Sequence, residues 1–328
     1  MRNRKALVAA GLGAVLLLAG GCGTGEDGSS EAVADVDPSP TVGPVATVVL
    51  DEPRLLSDGG EEGDEAAAEE EAEPVEVDLL DVSTASFSNP TQIDNPYKPL
   101  VPGTRRVFEG VAMDGDEEVE RMIINIVTDL TKEINGVQTV VIWERDYNDG
   151  ELAEAEIAFF AQDDDGNVWH FGQYYEIWDE DGFAGGRIWV VDVPEGARGG
   201  ILMPADPQAG GPPYSQGFAP EPFNWSDTAA VAELGTEYCI EDECFQDVLV
   251  TEETDRANVG AFQLKYYAPG IGNIGVGWRG PDPEQEVMDM VEDVVLTESE
   301  LIEARNEALA LEERGYLYSL TKPAMAGD

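Results

Sequence analysis

The chain has 328 residues, with 68 acidic side chains against 18 basic ones and a net charge of −50 at pH 7. So large an excess of negative charge excludes nucleic acid and anionic lipid surfaces as partners, because both would repel it. One histidine and three cysteines leave little material for a soft-metal centre.

Residues 1–21 have the layout of a secretory signal peptide. Arg2, Arg4 and Lys5 make a positive start, Ala6 to Ala19 is apolar, and Gly20 and Gly21 lead into Cys22. The apolar stretch is short for a spanning helix. Leu18-Ala19-Gly20-Gly21-Cys22 resembles the bacterial lipobox, in which the cysteine is lipidated and becomes the new N-terminus. The expected partner is therefore a membrane, reached through acyl chains on Cys22, each buried methylene contributing about 0.8 kcal/mol.

Residues 22–85 read as an acidic, disordered tether. From residue 23 onward they hold nineteen acidic residues, one basic residue (Arg54) and no aromatic one. Such a segment cannot bury enough apolar surface to offset its ordering entropy. As an unstretched coil it would span roughly 40 Å, and like charges would extend it further. Within it, Val45–Leu50 could form a short strand and Glu65–Glu73 a transient helix.

Residues 86–297 read as a β domain. Asn135-Gly136, Asn148-Asp149-Gly150, Asp165-Gly166 and Asp181-Gly182 separate stretches rich in Val, Ile, Trp, Tyr and Phe, and such pairs accept the positive φ of tight hairpins. Strands are expected near 104–112, 118–130, 137–147, 151–161, 167–178 and 186–192, with no room for helices between them. A Gly/Pro-rich loop is expected over 194–222, its segment 200–208 without regular structure. Strands resume near 229–239, 244–253, 260–268 and 286–297. Thr297-Glu-Ser-Glu300 is a capping box that opens a helix over 298–314, with Leu301, Ala304, Ala308 and Leu311 on one face. Residues 315–328 are expected to be a loose tail. The fold class is thus mainly β, an antiparallel meander forming a barrel, half-barrel or sandwich, with one C-terminal α-helix.

Four stretches carry a resemblance: Asn95-Pro-Tyr-Lys-Pro-Leu-Val-Pro-Gly-Thr104, Asp165-Gly-Asn-Val-Trp169, Gly200-Ile-Leu-Met-Pro-Ala-Asp-Pro207 and Tyr266-Tyr-Ala-Pro-Gly270. They are similar to landmarks of a family of secreted actinobacterial β-proteins and lipoproteins. The resemblance covers about residues 93–280. It implies secretion, a β fold and an address on the outer face of the plasma membrane, and it implies no catalytic residues.

The residues themselves offer few catalytic constellations. His170 could serve as a base, but no Gly-x-Ser-x-Gly elbow accompanies it, and Ser215 lacks the first glycine. Gly270-Ile-Gly-Asn-Ile-Gly275 matches a dinucleotide fingerprint, yet the glycines and prolines after it prevent the helix that a pyrophosphate requires. Acidic turns at 114–118, 163–167 and 179–182 collect hard oxygen ligands without the spacing of a calcium loop. Carboxylates are too abundant for spacing to single out a glycosidase pair. Cys239 and Cys244 are expected to form a disulfide closing a small loop. No catalytic, cofactor-binding or metal-ligating residue is assigned, and no cofactor is expected.

Aromatic residues crowd the meander. Phe159-Phe160 and Tyr174-Tyr175 are adjacent, so each pair must point to opposite faces of the sheet. Trp143, Phe160, Trp169, Tyr175 and Trp178 are the candidates for a ligand face. The reading that follows is a membrane-anchored envelope lipoprotein whose non-catalytic β domain binds an apolar ligand. The alternatives are an interaction module displayed on a tether and a carboxylate- or calcium-dependent hydrolase.

Overall fold

The structure, a computed structural model, describes residues 77–221, 223–255, 258–316 and 323–327. The signal peptide, Cys22, Val45–Leu50, Glu65–Glu73 and most of the tether lie outside those residues. No helix among the described residues is long and apolar enough to cross a membrane.

The meander forms as the turn signals dictate. Strands β1 (Thr104–Asp114), β2 (Glu117–Ile134), β3 (Val137–Asn148), β4 (Glu151–Gln162), β5 (Val168–Asp179) and β6 (Gly182–Val190) follow one another in antiparallel hairpins. Asn135 and Asp149 adopt φ of 49° and 51°, and Gly136 and Gly150 each adopt 81°, the conformation such hairpins need. Strands β9 (Trp225–Ile240), β10 (Glu243–Asp255), β11 (Phe262–Ala268) and β13 (Val287–Val295) continue the pattern after the Gly/Pro-rich segment.

Three strands of the main sheet were not expected. β7 (Arg198–Met203) and β8 (Tyr214–Ala219) lie inside the segment read as irregular, and β12 (Gly272–Arg279) includes the glycines read as a turn. Glycine here serves close approach: a Cβ on Gly200 would lie 2.2 Å from the Gln216 carbonyl carbon. The glycines that argued against a strand are what allow β7 to pack against β8.

The sheet closes on itself. Its order is β1-β13-β12-β11-β10-β9-β8-β7-β5-β4-β3-β2, and β2 pairs back to β1, making a twelve-stranded antiparallel barrel. β5 forks: Val168–His170 pair with β7, whereas Gly172–Asp179 pair with β6, which lies outside the ring. Gly172 sits at the fork with φ 129°, and a Cβ there would meet the Trp189 carbonyl oxygen at 2.3 Å.

Both faces of the β2–β5 wall are buried. Outside, Trp143, Ile157, Phe159, Trp169, Phe171 and Tyr174 pack under the helix α1 (Glu298–Gly315) through Ala304, Ala308 and Leu311. The capping box at Thr297 and Glu300 forms as expected. Lys132 donates to Glu312 at 2.8 Å in full burial, Arg314 makes two hydrogen bonds to Glu176, and Arg305 pairs with Asp129. The chain ends expected to be loose contribute to this layer. Val82 is buried and Leu80 packs beside it, which moves the start of the folded part ahead of residue 85. At the other end β14 (Met325–Ala326) pairs with β2, and buried Ala324 donates its N–H to Glu312.

Candidate functional site

Alternation along β3 and β4 builds the interior. Val141, Trp143, Ala155, Ile157 and Phe159 face the helix, so the intervening residues face the lumen. The inward series on β4 is Glu154, Glu156, Ala158, Phe160, and on β3 it is Val140, Ile142, Glu144, Asp146. The register places Glu144 opposite Glu156 and Asp146 opposite Glu154, positions whose Cβ atoms lie about 5 Å apart. Two carboxylate pairs thus stand side by side on an inner wall.

Cations are fewer than acids inside. Arg121 of β2 reaches Asp146 at 2.9 Å and Glu286 at 2.7 Å, and Lys265 of β11 reaches Glu253 at 3.0 Å. Asn125 donates to Glu144 at 2.7 Å. Glu156 is 2% exposed, and neither of its carboxylate oxygens has a hydrogen-bond partner. Burial, then the neighbouring carboxylates Glu144, Glu154 and Asp146, hold its pKa well above the usual value. Burial likewise raises Glu154, and it carries Asp146 to about 8 despite Arg121. Burial also raises Glu144.

The other end of the lumen is apolar and plugged. Ile93 and Leu100 bridge to each other and join Val127, Val140, Phe160 and Leu249 in an inner cluster. The four stretches that carried the family resemblance meet here. Asn95 donates its side-chain amide to the carbonyls of Gly166 and Pro204, Asn167 accepts from the Ala205 N–H, and Gly270 donates to the Pro96 carbonyl. This knot holds Lys98 so that its Nζ lies 6.0 Å from the ring centres of both Phe160 and Tyr267. Lys98 makes no ion pair among the described residues; burial, followed by repulsion from Lys265 and Arg106, lowers its pKa to about 8.

Between the two ends lies a cavity of about 70 Å³, lined by Glu144 and Glu156 at one side, Ile142 and Ala158 in the middle, and Phe160, Tyr267 and Lys98 at the other. A second cavity of about 60 Å³ shares the walls Gln263 and Glu286 with it and is ringed by Asp227, Glu253, Asp255, Asp282 and Glu284. It lies by the β10–β11 and β12–β13 turns and forms an acidic vestibule beside the lumen.

The five aromatic candidates do not share one face. Phe160 lines the cavity. Tyr175 joins Trp189, Phe223 and Trp225 in a separate cluster near the fork of β5. Trp143 and Trp169 belong to the outer layer, the former under Arg145 and the latter donating its Nε1–H to Asp163 at 2.8 Å. Trp178 packs edge-on against Phe183. The adjacent pairs split as strand geometry requires, with Phe159 and Tyr174 outside and Phe160 and Tyr175 inside.

His170 is fully buried, stacked on Phe160 and enclosed by Trp189 and Trp225, and burial lowers its pKa to about 3. It stays neutral and is too weak a base for proton abstraction near neutral pH. Cys239 and Cys244 are bonded and face each other across the β9–β10 hairpin. In the 163–167 turn, Asp163 accepts from Asn167 and Trp169, and Asp164 accepts from Ser88 twice. These carboxylates are occupied in holding the turn.

No protein-family model matches the chain, and no curated protein matches it. A solved structure from Bacteroides fragilis NCTC 9343, described as an exported protein with a YmcC-like fold, is similar at 12% identity and a TM-score of 0.35. That match covers 61% of this chain and 99% of the other.

Proposed function

We propose that this chain is an exported, lipid-anchored envelope protein whose barrel is a non-catalytic module binding a small ligand with an apolar body and a charged end. The lipobox at Cys22 supports the anchor. The lumen supports the binding reading: its cavity runs from Glu144 and Glu156 past Ile142 and Ala158 to Phe160 and Tyr267. The sequence points to an apolar ligand, and the middle of the cavity suits one. Its ends add a requirement for charge or hydrogen bonding, because polar groups enclosed without partners are costly.

Facing carboxylates would also suit a hydrolase. That chemistry needs one ionised and one protonated group; burial raises Glu144, Asp146, Glu154 and Glu156 alike, so no one of them is set apart from the others as acid or as base. Binding is the better account of the site. Native mass spectrometry of the full chain, extracted gently from its own membranes, tests it. A small-molecule adduct is expected, and a bare polypeptide mass would contradict the reading.

A further inference from the structure

Buried Glu156 and half-buried Lys98 both line one cavity, and neither makes an ion pair among the described residues. Glu156 has two unbonded carboxylate oxygens at 2% exposure. Lys98 has an ammonium beside two aromatic rings and no ion pair among the described residues. Arg106, Arg121 and Lys265 line the same interior, but each already has an acidic partner: Asp293, Asp146 with Glu286, and Glu253. Glu156 and Phe160, which marks the Lys98 end, are four residues apart on β4, about 13 Å along the strand. Ala158 between them keeps the middle open, with Ile142 across from it.

We propose that the ligand is a small zwitterion, an ammonium and a carboxylate joined by a short apolar chain, with the ammonium at Glu144 and Glu156 and the carboxylate at Lys98. This rests on the binding reading above and names the ligand class for the same cavity. One ligand of this kind gives Glu156 and Lys98 each an ion pair and covers the apolar middle. A metal ion would leave Lys98 unpaired, and calcium needs six to eight oxygens at about 2.3–2.6 Å, whereas among the described residues no three lumen carboxylates bring oxygens within 4.8 Å of one another. The vestibule of Asp227, Glu253, Asp255, Asp282 and Glu284 would draw the ammonium end in first.

The test is calorimetric titration of the detergent-solubilised full chain with 6-aminohexanoate, hexylammonium, hexanoate and 1-hexanol. The zwitterion is expected to bind at least about tenfold more tightly than either singly charged probe, each of which lacks one buried ion pair. Glu156→Gln should weaken 6-aminohexanoate and hexylammonium while sparing hexanoate. Lys98→Met should weaken 6-aminohexanoate and hexanoate while sparing hexylammonium. The ranking of probes on the wild type needs no variant, so a misfolded variant leaves the test intact. Equal binding of 1-hexanol and the zwitterion would overturn the charge assignment and leave the lumen as a binding site. Failure of all four probes would overturn the zwitterion and the binding reading together.

Discussion

Glu144 and Glu156 stand directly opposite each other on adjacent strands, and both face the inside of a closed barrel. Burial makes each hold its proton more tightly than in water, and at Glu156 the charge of the facing Glu144 adds to that.

Stability should therefore depend on pH through Glu156. Its folded-state pKa is raised, so its contribution is full below the ordinary 4.5 and is lost as pH climbs through the raised value. Asp146, raised to about 8, carries the same trend across neutrality. The thermal midpoint should fall as pH rises over this range, and Glu156→Gln should show a shallower fall. Superimposable curves for the two proteins would count against a protonated Glu156.

The helix should depend on one buried ion pair. Lys132 and Glu312 are 2.8 Å apart at 0% and 2% side-chain exposure. Lys132→Met leaves Glu312 buried without its cation, which should cost about 3–5 kcal/mol. Chemical denaturation measures this, and a loss below about 1 kcal/mol, the range of exposed pairs, would mean that the pair is solvated.

Two glycine variants should behave differently. Gly172→Ala places a Cβ 2.3 Å from a backbone oxygen at the fork of β5, whereas Gly150→Ala, in an open hairpin turn, meets nothing within 4 Å. The first should cost roughly 3 kcal/mol or more through overpacking, the second about 1 kcal/mol from its positive φ. Comparable midpoints in thermal unfolding would show that β5 can relax at the fork.

Cys22→Ala should leave the precursor uncleaved or release the protein from membranes. Fractionation with lipid labelling reads this directly. A processed, lipid-labelled variant in the membrane fraction would rule out Cys22 as the anchor.

The hairpins were legible in the sequence because Asn-Gly and Asp-Gly encode positive φ locally. The capping box at Thr297 and the Cys239–Cys244 bridge were legible for the same reason, since both are short-range chemistry. The choice of a closed barrel over a half-barrel or sandwich was not, because it depends on β1 pairing with β13, residues such as Thr104 and Val295 that lie far apart in the chain. β7 hid behind its glycines. The acidic lumen hid behind a sound rule: Glu154-Ala-Glu-Ile on one strand reads as charge outside and apolar inside. Here α1 covers the apolar face, so the charged face turns inward. The one signal available was Phe159-Phe160, which requires both faces of β4 to be buried and puts Phe160 in phase with Glu154 and Glu156.

The most direct test of a binding lumen is native mass spectrometry of the wild type beside Ala158→Leu, which fills the middle of the cavity. A small-molecule adduct on the wild type and none on the variant, with the variant's thermal midpoint unchanged or higher, is the expected result. The same adduct on both proteins, or a bare polypeptide mass for the wild type, would contradict it.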